Sequence, residues 1–282
     1  RAEIAYGSHP RTRGTGRMER ALRLLLDWGF GDNGPGLDTV VWWANRGNWP
    51  SRRLAWRLGF ATDVTLRSWL PQRGALLDAW GGTLLCTDER RPRHAWPDAP
   101  TIESPRLRLR LRRPRDDDAV RMAEACADAR TAHWLGDIPQ PYQRRHADVF
   151  LLASAERRAL GDALHLVVAD RTDDRLLGLV GLTGIDPKLR SAELGYWVHP
   201  DARGHGIATE STRLALRHAL LPDDEGGLGL VRVTARAAVG NDASLAVLRR
   251  SGMRHVGVLR LASATRVGLA DAELHEIVDP SR

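Results

Sequence analysis

The sequence predicts a mixed α/β fold built on a central sheet flanked by helices, and part of that fold is predicted to occur twice. Three observations lead there. Residues 4–16 and 194–206 share Tyr6/Tyr196, His9/His199, Pro10/Pro200, Arg13/Arg203, Gly14/Gly204 and Gly16/Gly206 at a constant offset of 190. Downstream, Asn48/Asn241, Ser51/Ser244 and Gly59-Phe60/Gly252-Met253 follow in the same order at an offset of 193. An offset of that size is the length of a whole domain, not a solenoid period. Third, between residues 101 and 279 short hydrophobic runs alternate with helical stretches in an order that mixes hairpins with helical crossovers.

The elements follow in turn. Met18–Trp28 and Ile207–Leu221 are helix-like runs directly after the two glycine loops. Residues 89–105 carry four prolines and no periodicity, the mark of a linker, assigned to residues 89–100. Leu107, Leu109 and Leu111 alternate with arginines, as in a half-buried strand. Pro114 with Asp116-Asp117-Asp118 signals a helix start, acidic residues lying at the positive end of the dipole. Ala119–Ala129 is that helix and Ala147–Leu160 a second. Leu164–Ala169 and Leu176–Gly181 read as a hairpin, and Glu193–Val198 as a strand running into the second glycine loop. Leu230–Ala237 is a strand, Asp242–Ser251 a short helix, and His255–Leu261 and Glu273–Val278 close the sheet.

Residues 101–279 thus read as one complete unit, and residues 1–88 as the back half of another, with no counterpart of residues 101–190. The chain opens on Arg1, not Met, so the expectation is that upstream sequence is missing or that the first copy has lost its front half. Such a half exposes a sheet edge and is expected not to catalyse.

Composition narrows the function classes. At 43% hydrophobic and 27% charged residues the chain has the profile of a soluble globular protein of about two domains. No apolar stretch approaches a membrane span and residue 1 begins no signal peptide, so a cytoplasmic location is expected. Cys86 and Cys126 have no His or Cys at ligand spacing, which argues against a disulfide framework and against a metal site. The net charge of +7 permits a polyanionic partner. Yet the basic residues are nearly all arginine, are interleaved with acids, and form no nucleic-acid fingerprint, so nucleic acid is disfavoured as a partner.

The loop after Val198 carries the chemistry. Gly204 and Gly206 permit a tight turn and close approach, the following helix presents unpaired N–H groups, and Arg203 adds positive charge, together a cradle for pyrophosphate. An ordinary strand-to-helix turn is the alternative. Arg203-Gly204-His205-Gly206-Ile207-Ala208 resembles the coenzyme A signature of the GNAT N-acetyltransferases. Glu-Leu-Gly-Tyr-Trp-Val-His-Pro before it, and Asn-Asp-Ala-Ser ahead of Gly-Met, resemble the RimJ/RimL ribosomal-protein-alanine branch. The resemblance covers residues 101–279 in full and 1–88 as a half-domain. It implies the GNAT acyl-CoA N-acyltransferase fold and acetyl-CoA as co-substrate.

By that resemblance, backbone amides of Gly204, His205, Gly206, Ile207 and Ala208 bind the pyrophosphate, supported by Arg203. Residues 193–198 pair with the pantetheine arm, with Trp197 and Val198 near the acetyl carbonyl. Amide donors there would stabilise the oxyanion of direct amine attack. Ser244 replaces the tyrosine that many members use beside the leaving sulfur, and would donate a hydrogen bond; capping the helix is its alternative. Asn241 holds the pantetheine or caps that helix. Glu193 is the candidate general base, acting through a water, with a cross-strand charge as its alternative. Some relatives carry a glutamate where Ser263 stands here. His199 reads as structural. The acceptor side is expected along His133–Asp137 and Pro139–Tyr142, where Trp134 and Tyr142 either clasp the acceptor or pack in the core. The acceptor is a protein N-terminal amine or a small amine, an acidic groove favouring the latter. A non-catalytic acyl-CoA-binding or interaction module is the competing class. In the first copy Met18 stands at the position of Ala208 and would crowd the phosphates, and Arg20 stands where Glu210 does.

Overall fold

The computed structural model of the chain describes residues 1–112 and 117–279. It divides into two compact units, Arg1–Ala95 and Trp96–Arg282, the division falling within the proline-rich segment.

The first unit contains β1 (Ala2–Ile4), α1 (Arg17–Phe30), β2 (Thr39–Asn45), α2 (Trp49–Arg57), β3 (Ala61–Gln72) and β4 (Ala75–Leu85), in sheet order β1-β2-β4-β3 with β1 at the edge. Its core gathers Leu22 and Leu26 of α1, Val40 and Trp42 of β2, and Leu58, Phe60, Trp80 and Leu84. Met18 packs against this core.

The second unit contains β5 (Ile102–Glu103), β6 (Leu107–Arg110), α3 (Asp118–Ala127), α4 (Ala129–Trp134), α5 (Arg144–Ala159), β7 (Ala163–Asp170), β8 (Leu176–Asp186) and β9 (Ser191–Val198). Then come α6 (Ile207–Leu220), β10 (Arg232–Ala238), α7 (Asp242–Arg250), β11 (Arg254–Thr265) and β12 (Gly268–Val278). The sheet order is β11-β12-β10-β9-β8-β7-β6-β5, with β9 and β10 parallel and the other pairs antiparallel. Strand alternation gives the sheet two apolar faces. Leu164, Leu166, Val180, Leu194 and Val233 share one core with Ile207, Leu216 and Leu245 of α6 and α7. Val167 and Leu179 share the other with Met122, Cys126 and Leu151 of α3 and α5. This is the central mixed sheet flanked by helices that the sequence predicts.

Three elements depart from the expected order. β5 is an added short edge strand. The first predicted helix stops at Ala127 because Asp128 is extended, and its Oδ2 accepts from Thr131 N (3.0 Å), which caps a separate helix α4. The last two strands run longer than their hydrophobic runs, because a bulge lets pairing resume at Ser263↔Ala270. Pro114 and Asp116 of the expected helix start lie outside the described residues. Asp118 is there, and its carboxylate accepts from Nη1 and Nη2 of the equally buried Arg110 (2.8 and 3.0 Å), fixing α3 to β6.

The two units share backbone detail. Ala2↔Val40 and Glu3↔Val41 in the first match Ala192↔Val233 and Glu193↔Thr234 in the second. Both outer hairpins bulge at the corresponding place, with Ser68 (φ 47°) and Leu261 (φ 51°) left-handed. Each bulge is held by an aspartate: Ser68 N donates to Asp78 Oδ1 (3.0 Å) and Leu261 N to Asp271 Oδ1 (2.8 Å).

Candidate active site

β9 and β10 pair for only three residues, ending at Glu193↔Thr234. β9 then follows β8 to Val198 while β10 follows β12 to Ala238, leaving the β10-facing edge of Leu194–Val198 without a strand partner. The divergence opens a cleft of about 630 Å³ between β9, β10, α4, the start of α6 and the first turns of α7.

Most of the sequence-predicted site residues meet there. Trp197, Val198, Arg203, Gly204, Gly206, Ile207, Ala208, Asn241 and Ser244 line the cleft; His205 and Glu193 do not. Gly204 and Gly206 have φ of 79° and 78°, a conformation that disfavours any side chain. Gly206 is the N-cap of α6 and brings no side-chain cap, so the first-turn amides of Ile207, Ala208 and Thr209 face the cleft without a partner among the described residues. Their orientation and the helix dipole make this end of the cleft a place for an anion. Arg203 is already engaged: its Nη2 reaches Asp128 Oδ2 (2.6 Å) and Thr131 Oγ1 (2.5 Å), tying the glycine loop to the start of α4. Burial pushes the Asp128 carboxyl up, but Arg203 and Thr131 outweigh that and hold it below the usual range.

Asn241 caps α7, its Oδ1 accepting from Ser244 N (3.3 Å). Ser244 therefore keeps its hydroxyl free of capping, and that hydroxyl meets Tyr196, whose Oη lies 2.9 Å from Ser244 Oγ and 3.0 Å from the Ser244 carbonyl. Burial pushes the Tyr196 phenol up to about 12, against the lowering effect of Ser244. Sequence reasoning did not place Tyr196 in the site. The signal was present: a tyrosine and a serine are retained together in both copies, and Tyr6 Oη lies 2.8 Å from Ser51 Oγ.

Glu193 sits outside the lining, with both carboxylate oxygens on Arg236 (2.8 and 2.9 Å). Among the described residues of the lining, the charged side chains are Arg130, Arg203, Arg236 and Arg250, and no carboxylate or imidazole belongs to the lining itself. His199 is buried against Asp201 (2.7 Å) and supports the turn before the glycine loop. Trp134 and Ser263 line the cleft, whereas Tyr142 packs in the α3/α5 core. The α4 end is clasped to the outer hairpin, Gly136 N donating to the Ala264 carbonyl (3.3 Å) and Arg266 N to that of His133 (2.8 Å). Outside the cleft a groove of about 650 Å³ runs along α6 past Arg106, Arg213 and Arg217 and meets the cleft at Gly206, Thr209 and Arg250.

The Acetyltransferase (GNAT) domain family matches residues 1–61 and 108–254. The chain belongs to this family. It is an acetyltransferase of the GNAT type, with acetyl-CoA as co-substrate. YdaF of Bacillus subtilis, a ribosomal N-acetyltransferase by name, is 32% identical over 158 residues, covering 55% of this chain and 81% of that protein. The Escherichia coli ribosomal-protein-serine acetyltransferase is 27% identical over 108 residues, 38% of this chain and 58% of its own length. Among solved structures, a ribosomal alpha-N-protein acetyltransferase, RimL, in complex with coenzyme A superposes with a TM-score of 0.57 at 20% identity, over 65% of this chain and all of that one. RimJ of Mycobacterium smegmatis gives 0.55 at 23%, over 62% and 83%. No helix among the described residues is long and apolar enough to cross a membrane.

Proposed function

We propose that residues 101–279 form a complete acetyltransferase domain that moves an acetyl group to the N-terminal α-amine of a protein, and that residues 1–88 are the back half of a second copy that does not bind acetyl-CoA. The single observation that carries the reading is the divergence of β9 from β10 onto the uncapped start of α6. The cleft supplies an unpaired strand edge for the amides of a pantetheine arm, and the amides of residues 204–208 for a pyrophosphate. Arg250 and the groove arginines Arg106, Arg213 and Arg217 lie beyond these for the remaining anionic end. When bound, acetyl-CoA would supply a thioester alongside the free strand edge of residues 194–198. The chain's own part is to hold the carbonyl against backbone donors and to give the leaving sulfur the Ser244 hydroxyl.

The charges support this acceptor. With no carboxylate or imidazole among the described lining residues, the amine has to arrive neutral. A protein α-amine, with a pKa of about 7.7–8.0, is roughly one-tenth neutral at pH 7; an alkyl amine at about 10.4 is neutral in fewer than about one molecule in a thousand. Arg130 and Arg250, which have no carboxylate partner among the described residues, add positive charge that weighs against a small polyamine. Glu193 would act as base only on release from Arg236, so no step is routed through it. Relatives named for ribosomal proteins support a protein acceptor and a cytoplasmic setting.

Calorimetry with acetyl-CoA tests the first part: one equivalent is expected, lost in Gly206→Val. Absence of binding overturns it. Transfer to a Ser-initiated peptide, compared with spermidine and with an N-blocked lysine peptide, tests the second. The rate on the α-amine should rise with pH through a midpoint near pH 8 and level above about pH 9. Binding without transfer to any amine would instead support a non-catalytic acyl-CoA-binding module, a reading that the absence of a base in the lining favours.

A further inference from the structure

Tyr196 stands in an unusual relation to Ser244. Its Oη is within hydrogen-bond distance of both the hydroxyl and the carbonyl of the same residue (2.9 and 3.0 Å), and it has one proton to give. Two arrangements are open. Tyr196 donates to the carbonyl and Ser244 donates to Tyr196, which satisfies both groups when nothing else is near. Alternatively Tyr196 donates to Ser244 Oγ, and the Ser244 proton turns into the cleft. The backbone on either side is fixed: Asn241 holds Ser244 N, and Tyr196 is paired with Val180 in the sheet. Only the two hydroxyl rotors have to move.

We infer that Tyr196 is a positioning residue for Ser244, turning its proton onto Ser244 Oγ as negative charge develops on the sulfur, so that Ser244 donates to that sulfur. This rests on the reading that the thioester lies in this cleft. The step balances without either hydroxyl ionising. The amine nitrogen bonds to the acetyl carbon, the C–S bond breaks with its electron pair on sulfur, and the proton lost by the amine ends on that sulfur. The burial that keeps the Tyr196 phenol protonated up to about pH 12 fits a group that donates and never releases its proton. A hydroxyl that accepts one hydrogen bond while giving another is the better donor.

The first unit provides the control. Tyr6 and Ser51 form the same pair, but there Trp42 Nε1 donates to Tyr6 Oη (3.2 Å) and Ser51 Oγ (3.1 Å), so that pair faces an indole.

The test uses the full chain with coenzyme A, following thiolate absorbance of the bound thiol against desulfo-coenzyme A as a blank. In the wild type the bound thiol should titrate below the free one. Ser244→Ala should raise the midpoint by about one pH unit, the worth of a hydrogen bond to a charged group. Tyr196→Phe should raise it by about half as much, with no further rise in the double variant, and Tyr6→Phe should leave it unchanged. A purely structural Tyr196 would shift melting temperature but not this midpoint, and that result overturns the inference, as does an equal shift in the Ser244→Ala background. If Ser244→Ala has no effect while coenzyme A still binds, the Ser244 role and this inference fall together. If coenzyme A does not bind the wild type, the cleft reading itself is lost, and the inference with it.

Discussion

In the first unit β2 places Trp42 at the position where β10 of the second unit places Ala235. Trp42 is 1% exposed, and its indole reaches the tyrosine–serine pair whose counterparts in the second unit line a cleft. The parallel ladder accordingly runs one residue further in the first unit, to Ile4↔Trp42. Elsewhere the units agree down to register, bulge and left-handed glycine. The tyrosine–serine pair of the first unit is thus engaged by an indole, where the second unit has the methyl group of Ala235 at the corresponding position.

That contrast can be broken from several sides. Trp42→Ala removes the largest buried side chain of the comparison and should cost the first unit about 3–5 kcal/mol. Denaturant melts followed by tryptophan fluorescence would show it, with acetyl-CoA binding by the second unit unaffected.

Acid should separate the units next. His165, on β7, packs half-buried against Phe150 and Gly181, and loss of solvent, reinforced by Arg157, pulls it down to about 4 despite Asp162. Its folded value lies below the unfolded value of about 6.5, so the unfolded chain takes up the proton first as pH falls. Stability is full above pH 6.5 and drains away toward pH 4, by roughly 3 kcal/mol. A pH series of the two unfolding transitions checks this, and His165→Gln should flatten it.

Gly136→Ala should cost about 1–3 kcal/mol, because a Cβ there would lie 2.6 Å from the Thr265 backbone and force the α4 clasp off the outer hairpin. A raised KM for the acceptor with an unchanged Kd for acetyl-CoA would locate the clasp on the acceptor side. The smallest effect belongs to Ser51→Ala, about 1 kcal/mol on the first unit alone, the net value of one hydrogen bond. A comparable change in acetyl-CoA affinity would show that the first unit takes part in binding after all.

The fold was legible because its signals are local. Alternation at Leu107 and Leu109, the hairpin at residues 164–181, and the Asn241 cap all state their structure within a few residues. The α6 loop was legible for the same reason. What escaped were contacts made across the sequence. Nothing near Arg203 announces that Asp128 and Thr131 hold it, nothing near Glu193 announces Arg236, and Tyr196 meets Ser244 only after β9 and α7 are in place. α4 was missed because a single extended residue, Asp128, ends one helix and caps the next, and composition alone runs straight through it.

The bulge at Leu261 has a practical side. It is secured by Asp271 from the neighbouring strand, and the bulged residue itself differs between the copies, serine in one and leucine in the other. Leu261 is 59% exposed, so little is buried at that point. Anyone wishing to attach a reporter by single substitution has an exposed position at this bulge, provided the aspartate opposite is left alone.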